Sequence, residues 1–412
     1  MQIRRPKAIS FAALVVMFLP IISISLNSPL ITGELQSLIS SSRHLLIWLA
    51  AISVLLNASC LRHTSISKIV GVLLFASVIS VGIWLTKYVS RADVRLYGLY
   101  ASVEPVAFIL SAAVLAERLK EDRLIALGIA SLSLSLITFF FFHVANDLPL
   151  QTNIYGRTRW TFGFLHPGKL AQALFLVIVF IAIYPRQLAA RSTRMVFFVM
   201  TVGSIIGILL TNTRLFSLAL LIFATFRFAE RVKKDQAIYL LLSVFFIFAF
   251  VGAVIASVTS EELLSFLTSG RFSWWMLALQ TNLSETPIRD FLFGVWGEPI
   301  GNLEVVYQRS AEARGAFRVD NAFLETFILQ GGIVLTLLIY AFFQLSGLRK
   351  AYDLFNIGLW TILLIFLLSE SGLFSIGNFY AFLCVALILH RIQHFTPTHK
   401  LATSPRLQVV TQ

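Results

Sequence analysis

The stretch DNAFLETFILQGGIVLTLLIYAFF, residues 320–343, opens with an acid and an amide and then runs apolar for long enough to cross a lipid bilayer. About 17 to 25 mostly apolar residues cover the roughly 30 Å of hydrocarbon as a helix, which satisfies its own backbone hydrogen bonds where no water can. The rest of the chain repeats the pattern. Of its 412 residues 58% are apolar and 13% charged, and the mean hydropathy of +0.83 exceeds what a soluble core requires. The sequence therefore predicts an all-α, polytopic integral membrane protein with about twelve transmembrane helices. Their expected ranges are 9–26, 44–60, 69–86, 97–116, 124–144, 167–184, 196–211, 214–228, 238–258, 322–345, 355–370 and 372–390, the seventh and eighth being short.

Charge orients these spans, because short cytoplasmic loops hold an excess of Lys and Arg. An even number of spans with both termini inside places Arg4, Arg5, Lys7, Arg118, Lys120, Arg123, Arg191, Arg194, Arg231, Lys233, Lys234, Arg349 and Lys350 in the cytoplasm. Arg157, Arg159, Lys169, Arg214, Arg271, Arg289, Arg309, Arg314 and Arg318 then gather in or beside three exterior connections. The net charge of +13 thus has two sources, inside anchors and an exterior basic surface suited to an anionic ligand. Nucleic acid is not expected at that outer face.

The N-terminal MQIRRPKAISFAALVVMFLP has the basic start and apolar centre of a signal peptide, but no small-x-small cleavage site follows, so it reads as a retained span. Cys60 and Cys384 both fall in expected spans, which leaves no disulfide framework or zinc site to read. No low-complexity segment or internal repeat stands out.

Two exterior connections are long, residues 145–166 and the large periplasmic segment 259–320. The second contains RFSWWMLALQTNL, patterned as an amphipathic surface helix. Trp274, Trp275 and Trp296 suit either interfacial anchoring or stacking on a sugar.

Polar chemistry concentrates where four segments meet the exterior: GRTRWTFGFLHPGKLAQAL (156–174), LLTNTRLFSLALL (209–221), TSGRFSWWMLAL (268–279) and RVDNAFLETFILQGG (318–332). A single arginine beside an apolar helix is explained by snorkelling; four such segments together call for more. Two guanidinium forks converging from separate segments suit a pyrophosphate, and the lipid setting assigns that pyrophosphate to a lipid. Asp320 has two readings, a carboxylate that accepts a proton from a sugar hydroxyl or a cap on the helix starting at Ala322. His166, followed by Pro167, equally suits a helix start. Glu104 and Glu370, acids in or at the end of apolar spans, are functional candidates that fit an enzyme or a carrier.

These segments resemble the O-antigen ligase and Wzy-type polysaccharide polymerase superfamily. DNAFLETFILQGG is similar to its HN…acid…GG opening of a late span, and LLTNTRLFSLALL to its T-x-S-R segment. GRTRWTFGFLHPGKLAQAL resembles its R-x-x-G-x-x-x-H-P-N-x-x-A segment, and GRFSWWMLAL the G-R-x-x-x-W that opens its exterior loop. The four occur in the family's order, over roughly residues 150 to 345. The resemblance implies a glycosyltransferase that uses neither metal nor cofactor, acting on undecaprenyl-pyrophosphate-linked glycan at the periplasmic face of the bacterial inner membrane. It implies catalytic roles for Asp320, Arg271 and Arg214, and substrate contacts for Arg157, Arg159, His166, Asn321, Arg318, Trp275 and Glu325. Partners would be the lipid-linked donor and acceptor, membrane lipids, and a flippase and chain-length regulator of the same pathway. Aspartate at 320, where the family has histidine, favours a polymerase over a ligase.

The chain then divides into N-terminal transmembrane helices (1–144), a ligase- or polymerase-like catalytic region (145–345), and C-terminal helices with a cytoplasmic tail (346–412). The rival of another class is a transporter or flippase, which would show matching broken or polar spans in two halves, whereas here the polar residues cluster between 150 and 330. A membrane scaffold would explain the spans but not the exterior arginines.

Overall fold

The computed structural model of the protein describes residues 11–56, 61, 64–90, 96–154, 157–184, 190–213, 216–224, 275–276, 279, 288–294, 321–345, 354–369, 374–375 and 378–394. It is an all-α membrane protein. In chain order the elements are α1 (Phe11–Ser25), α2 (Gly33–Leu56), α3 (Thr64–Ser90), α4 (Leu96–Arg118) and α5 (Glu121–Ala145), then a hairpin of β1 (Gln151–Ile154) and β2 (Arg157–Trp160). They continue with α6 (Pro167–Ile183), α7 (Arg191–Leu210), α8 (Ile288–Phe293), α9 (Ala322–Leu345), α10 (Leu354–Ser369) and α11 (Phe379–His394); residues 216–224 are also helical.

Six of these helices, α2, α3, α4, α5, α7 and α9, are long and apolar enough to cross a membrane. Shorter apolar stretches lie in α1, α6, α10 and α11. The expected range 238–258 lies outside the described residues, and 214–228 is described only over 216–224. Four starts differ from expectation, among them that of α3, at Thr64 rather than 69. α2 begins at Gly33 rather than 44, because GELQSLISSS holds no helix breaker and its first turns stay exposed beyond the bundle. α7 begins at Arg191 rather than 196, and α11 at Phe379 rather than 372.

α4 is the hub, packed against α1, α2, α3 and α11. Ala107, Ser111, Ala112, Ala113 and Ala116 are fully buried on it, and such small side chains let neighbouring backbones approach. Ser111 uses the closeness: its Oγ donates to Ile47 O of α2 at 2.6 Å. α11 is buried on nearly all sides from Phe379 to Leu389, as expected of a helix apolar all round. α7 is the contrast, leaving Met195, Phe198 and Val199 exposed while Gly207 admits Leu174 of α6.

Two prolines interrupt spans, and a neighbouring helix supplies the donor that one of them removes. Pro105 in α4 has no N–H to give Ala101 O, four residues back, and Gln330 Nε2 of α9 donates to that carbonyl at 3.4 Å. Pro20 lies in α1, where Ser131 Oγ of α5 donates to the nearby Met17 O at 2.5 Å.

The interhelical bonds define the two ends of the bundle. At one end, Leu165 N donates to Asn27 O, Tyr380 Oη to Lys169 O and Ser375 Oγ to Glu104 Oε1. This end carries the hairpin and the starts of α4, α6, α9 and α11, and is called the hairpin face below. At the opposite face His390 Nδ1 donates to Ala116 O and Arg391 pairs with Glu121 at 3.1 Å.

Candidate functional site

The hairpin face is built by the chain between α5 and α6, which the sequence left as a loop. β1 and β2 pair antiparallel, with Thr152 opposite Arg159 and Ile154 opposite Arg157. Arg159 is buried, while Trp160 and Phe162 stack at 5.3 Å. The hairpin is anchored from below by His143, fully buried at the end of α5. Its Nδ1 donates to Phe139 O at 2.7 Å, so Nε2 accepts from Ser28 Oγ at 2.9 Å; the tautomer follows from the first bond. Gly163, at φ +90°, passes so close that a Cβ there would lie 2.3 Å from the His143 ring.

His166 stands at the N-cap of α6, and its Nδ1 accepts from Gly168 N at 3.1 Å with Pro167 in the first turn. One ring nitrogen is therefore committed to the helix start.

At α9 the cap falls to Asn321. Its Oδ1 accepts from Phe323 N at 3.0 Å and from Leu324 N at 3.1 Å, and its carbonyl accepts from Glu325 N. This decides part of the question posed by Asp320: the capping duty is discharged by the next residue. Glu325 sits in the first turn of α9 and is buried, 8% exposed, as are Thr326 and Gln330.

α9 does not continue straight. Gly331 has φ 83° and ψ 170°, which breaks the helix after the segment Ala322–Gln330. α8 packs into the break. Gly294, at φ 75°, closes α8, and a Cβ on it would lie 2.2 Å from Leu329 O; a Cβ on Gly331 would lie 2.3 Å from Leu292 O. Two backbones thus touch through paired glycines, beside a T-shaped Phe291–Phe327 contact. A piece of the large exterior segment is thereby fixed to the helix that begins with Asn321.

Trp275 is helical and half-buried, in keeping with the expected helix in RFSWWMLALQTNL, of which Met276 and Leu279 are also helical. Arg214, Arg271, Arg318 and Asp320 lie outside the described residues, as do Trp274, Trp296, Glu370 and Cys60. Nothing is described of the Arg157 side chain. Thr213, just before Arg214, accepts through its carbonyl from Phe216 N and Ser217 N and so heads the helix at 216–224. The described candidates His166, Asn321 and Glu325 belong to helices that start at the hairpin face, and Arg159 belongs to the hairpin itself.

The sequence reading did not anticipate Gln330, Ser375 or Asn378. Asn378 is 2% exposed and caps α11 through Oδ1, which accepts from Ala381 N at 3.1 Å, while its Nδ2 has no partner among the described residues. An asparagine immediately before the apolar run FYAFLCVALIL is the available signal for that cap. Ser375, 271 residues beyond Glu104 in the chain, donates through Oγ to Glu104 Oε1 at 3.0 Å, and no pattern in the sequence announces the pair.

Compared with known protein families and with curated proteins, the chain gives no match.

Proposed function

We propose that the protein is a membrane glycosyltransferase that polymerises undecaprenyl-pyrophosphate-linked oligosaccharide repeat units, of the kind used for O-antigen, capsule or exopolysaccharide. The observation that carries this reading is Asn321 capping α9, a duty for which an acid at position 320 is then not required. The gathering of the hairpin, the His166 cap and the α9 start on one face supports it further, since these belong to two of the segments that carry the family resemblance. In the reaction an acceptor sugar hydroxyl attacks the anomeric carbon of the donor glycan. The bond from that carbon to the pyrophosphate oxygen breaks, the lipid pyrophosphate leaves with the electron pair, and Asp320 takes the hydroxyl proton. Arg214 and Arg271 hold the leaving group, where charge develops. Arg157, Arg159, His166, Asn321, Arg318, Trp275 and Glu325 contact the glycans.

About twelve spans with both termini cytoplasmic belong to the same proposal. Support comes from the opposite face, where Arg118, Lys120, Arg123, Arg191, Arg194 and Arg391 lie at helix ends. The hairpin face is then periplasmic, in the bacterial inner membrane. Partners are the lipid-linked donor and acceptor, with a flippase and chain-length regulator in the same pathway. Cysteines introduced at Ser284 and Ser404 are expected to react with an impermeant reagent from opposite sides; reaction from one side refutes this topology.

The test of function is purified protein in lipid vesicles with lipid-linked repeat units. A ladder of lengthening glycans is expected. One transfer to a different lipid, without a ladder, makes the protein a ligase. Passage of the lipid-linked unit across the bilayer with no new bond makes it a transporter, a reading that the break in α9 also accommodates. Arg214→Lys and Arg271→Lys are each expected to insert normally and to slow transfer at least about tenfold, since a charge-assisted hydrogen bond is worth about 1.5–3 kcal/mol. Undiminished transfer in both would remove pyrophosphate binding from their roles.

A further inference from the structure

The break in α9 leaves a half-helix of about 13 Å between Asn321 and Gly331, at 1.5 Å per residue. A piece that short has little stability of its own, and its direction is set by whatever holds its far end. Two contacts reach that far end. The glycine contact with α8 grips it from the exterior segment, and Gln330 ties it to the bundle.

The second tie has an unusual partner. Ala101 O belongs to α4, and in an uninterrupted helix it would accept from the N–H of residue 105. Proline at 105 removes that donor, so a carbonyl is left over inside a membrane helix, where no water can satisfy it. Gln330 Nε2 fills the vacancy at 3.4 Å, long for an amide bond, and the opposite amide orientation would set two oxygens against each other. Gln330 is itself 8% exposed, so its head group has no solvent to retreat to. The proline in one helix and the glutamine in another are two halves of a single joint.

We propose that Gln330 is a positioning residue: by supplying the hydrogen bond that Pro105 removes from α4, it fixes the direction of the half-helix Ala322–Gln330 and hence of the Asp320–Asn321 pair at its other end. α4 is the buried hub of the bundle, so the joint refers the start of α9 to the most constrained element of the fold. The catalytic consequence rests on the function proposed above; the joint itself does not.

The proline and the glutamine are coupled in a way that a double-mutant cycle can read. Gln330→Leu leaves Ala101 O without a donor and frees the half-helix. Pro105→Ala restores the N–H to α4, so Ala101 O is satisfied within its own helix and no longer needs Gln330. Four proteins are compared in lipid vesicles: wild type, each single variant and the double variant. Spin labels at Ser37 and Phe323 report the spread of distances between the exposed start of α2 and the half-helix. Steady-state transfer with lipid-linked repeat units gives kcat and KM.

Gln330→Leu is expected to broaden the distance distribution and to lower kcat at least about tenfold with KM changed less than threefold. Adding Pro105→Ala is expected to restore thermal stability to within the range of the Pro105→Ala single variant. A Gln330→Glu variant, which places a second acceptor against the carbonyl, is expected to behave like Gln330→Leu. Strictly additive losses of stability in the double variant overturn the joint, as does an unchanged distance distribution in Gln330→Leu. Coupled stability and a broadened distribution with normal kcat overturn the positioning role and leave the joint. If wild type makes no glycan bond while the coupling and the distances behave as expected, it is the proposed function that fails.

Discussion

Asp320→Asn is expected to insert, fold and cap normally but to make almost no polymer, with single lipid-linked repeat units accumulating in its place. The expectation follows from the division of labour at the start of α9, where Asn321 Oδ1 already accepts from two backbone N–H groups. Removing the charge at 320 costs the helix nothing that Asn321 does not supply, whereas a proton acceptor replaced by an amide loses its basicity altogether. General-base catalysis contributes about 10²- to 10⁴-fold, and a loss of that size is expected in the rate of glycan bond formation. The complementary variant separates the two roles: Asn321→Ala is expected to lower stability by about 1 kcal/mol, the usual value of a lost cap. Asp320→His is expected to recover part of the activity, because imidazole is a base near neutral pH. The measurement is chain length of the lipid-linked glycan at matched protein levels. Full-length polymer from Asp320→Asn would strip the residue of its catalytic role and turn attention to Glu325 or His166.

The second large effect concerns Gly331. Alanine there meets a positive φ of 83° and a Leu292 carbonyl oxygen 2.3 Å from its Cβ, with Gly294 N only 2.4 Å away. Backbone atoms cannot swing aside as a side chain can, so α8 must leave the helix or the kink must straighten. Backbone strain of about 1–3 kcal/mol, from a φ/ψ pair that essentially only glycine adopts, adds to the lost contact, and a total destabilisation of at least about 3 kcal/mol is expected. Gly332 provides the internal control. A Cβ at that position finds its nearest neighbour, Phe291 O, at 3.6 Å, an ordinary contact, so Gly332→Ala is expected to unfold close to wild type. Thermal unfolding in detergent, with a cysteine pair at Phe291 and Phe327 to report docking of α8, distinguishes the two. Equal behaviour of the two alanine variants would show that the close approach is not needed.

Lipid made much of the architecture legible. A span must be long and apolar, so α4, α5, α6 and α9 begin and end within a few residues of where hydropathy puts them. Hydropathy fails where the helix outlasts the hydrocarbon, as in the serine-rich start of α2, because nothing in GELQSLISSS stops a helix in water. It fails in the other direction before α11. Phe374 takes φ 58° in a turn and Asn378 caps, so the helix starts only at Phe379. At the site, Asp320 and Asn321 are comparable as caps by type, and only geometry chooses between them. Pro105 announces an orphan carbonyl in plain sight, but the sequence gives no clue that its donor lies 229 residues further on.

That separation has a consequence for how the protein is made. α4 enters the bilayer with the Ala101 carbonyl lacking its helical donor, and Gln330 has yet to be synthesised. At about 5–20 residues per second, the ribosome takes roughly 10–50 s to deliver it. For that interval the hub of the bundle is an unfinished part, and the same holds for the glycine pocket of α9 until α8 docks. The hub therefore stays incomplete until α9 arrives: a nascent chain halted before residue 330 carries an unpaired carbonyl in its central helix that the completed chain conceals.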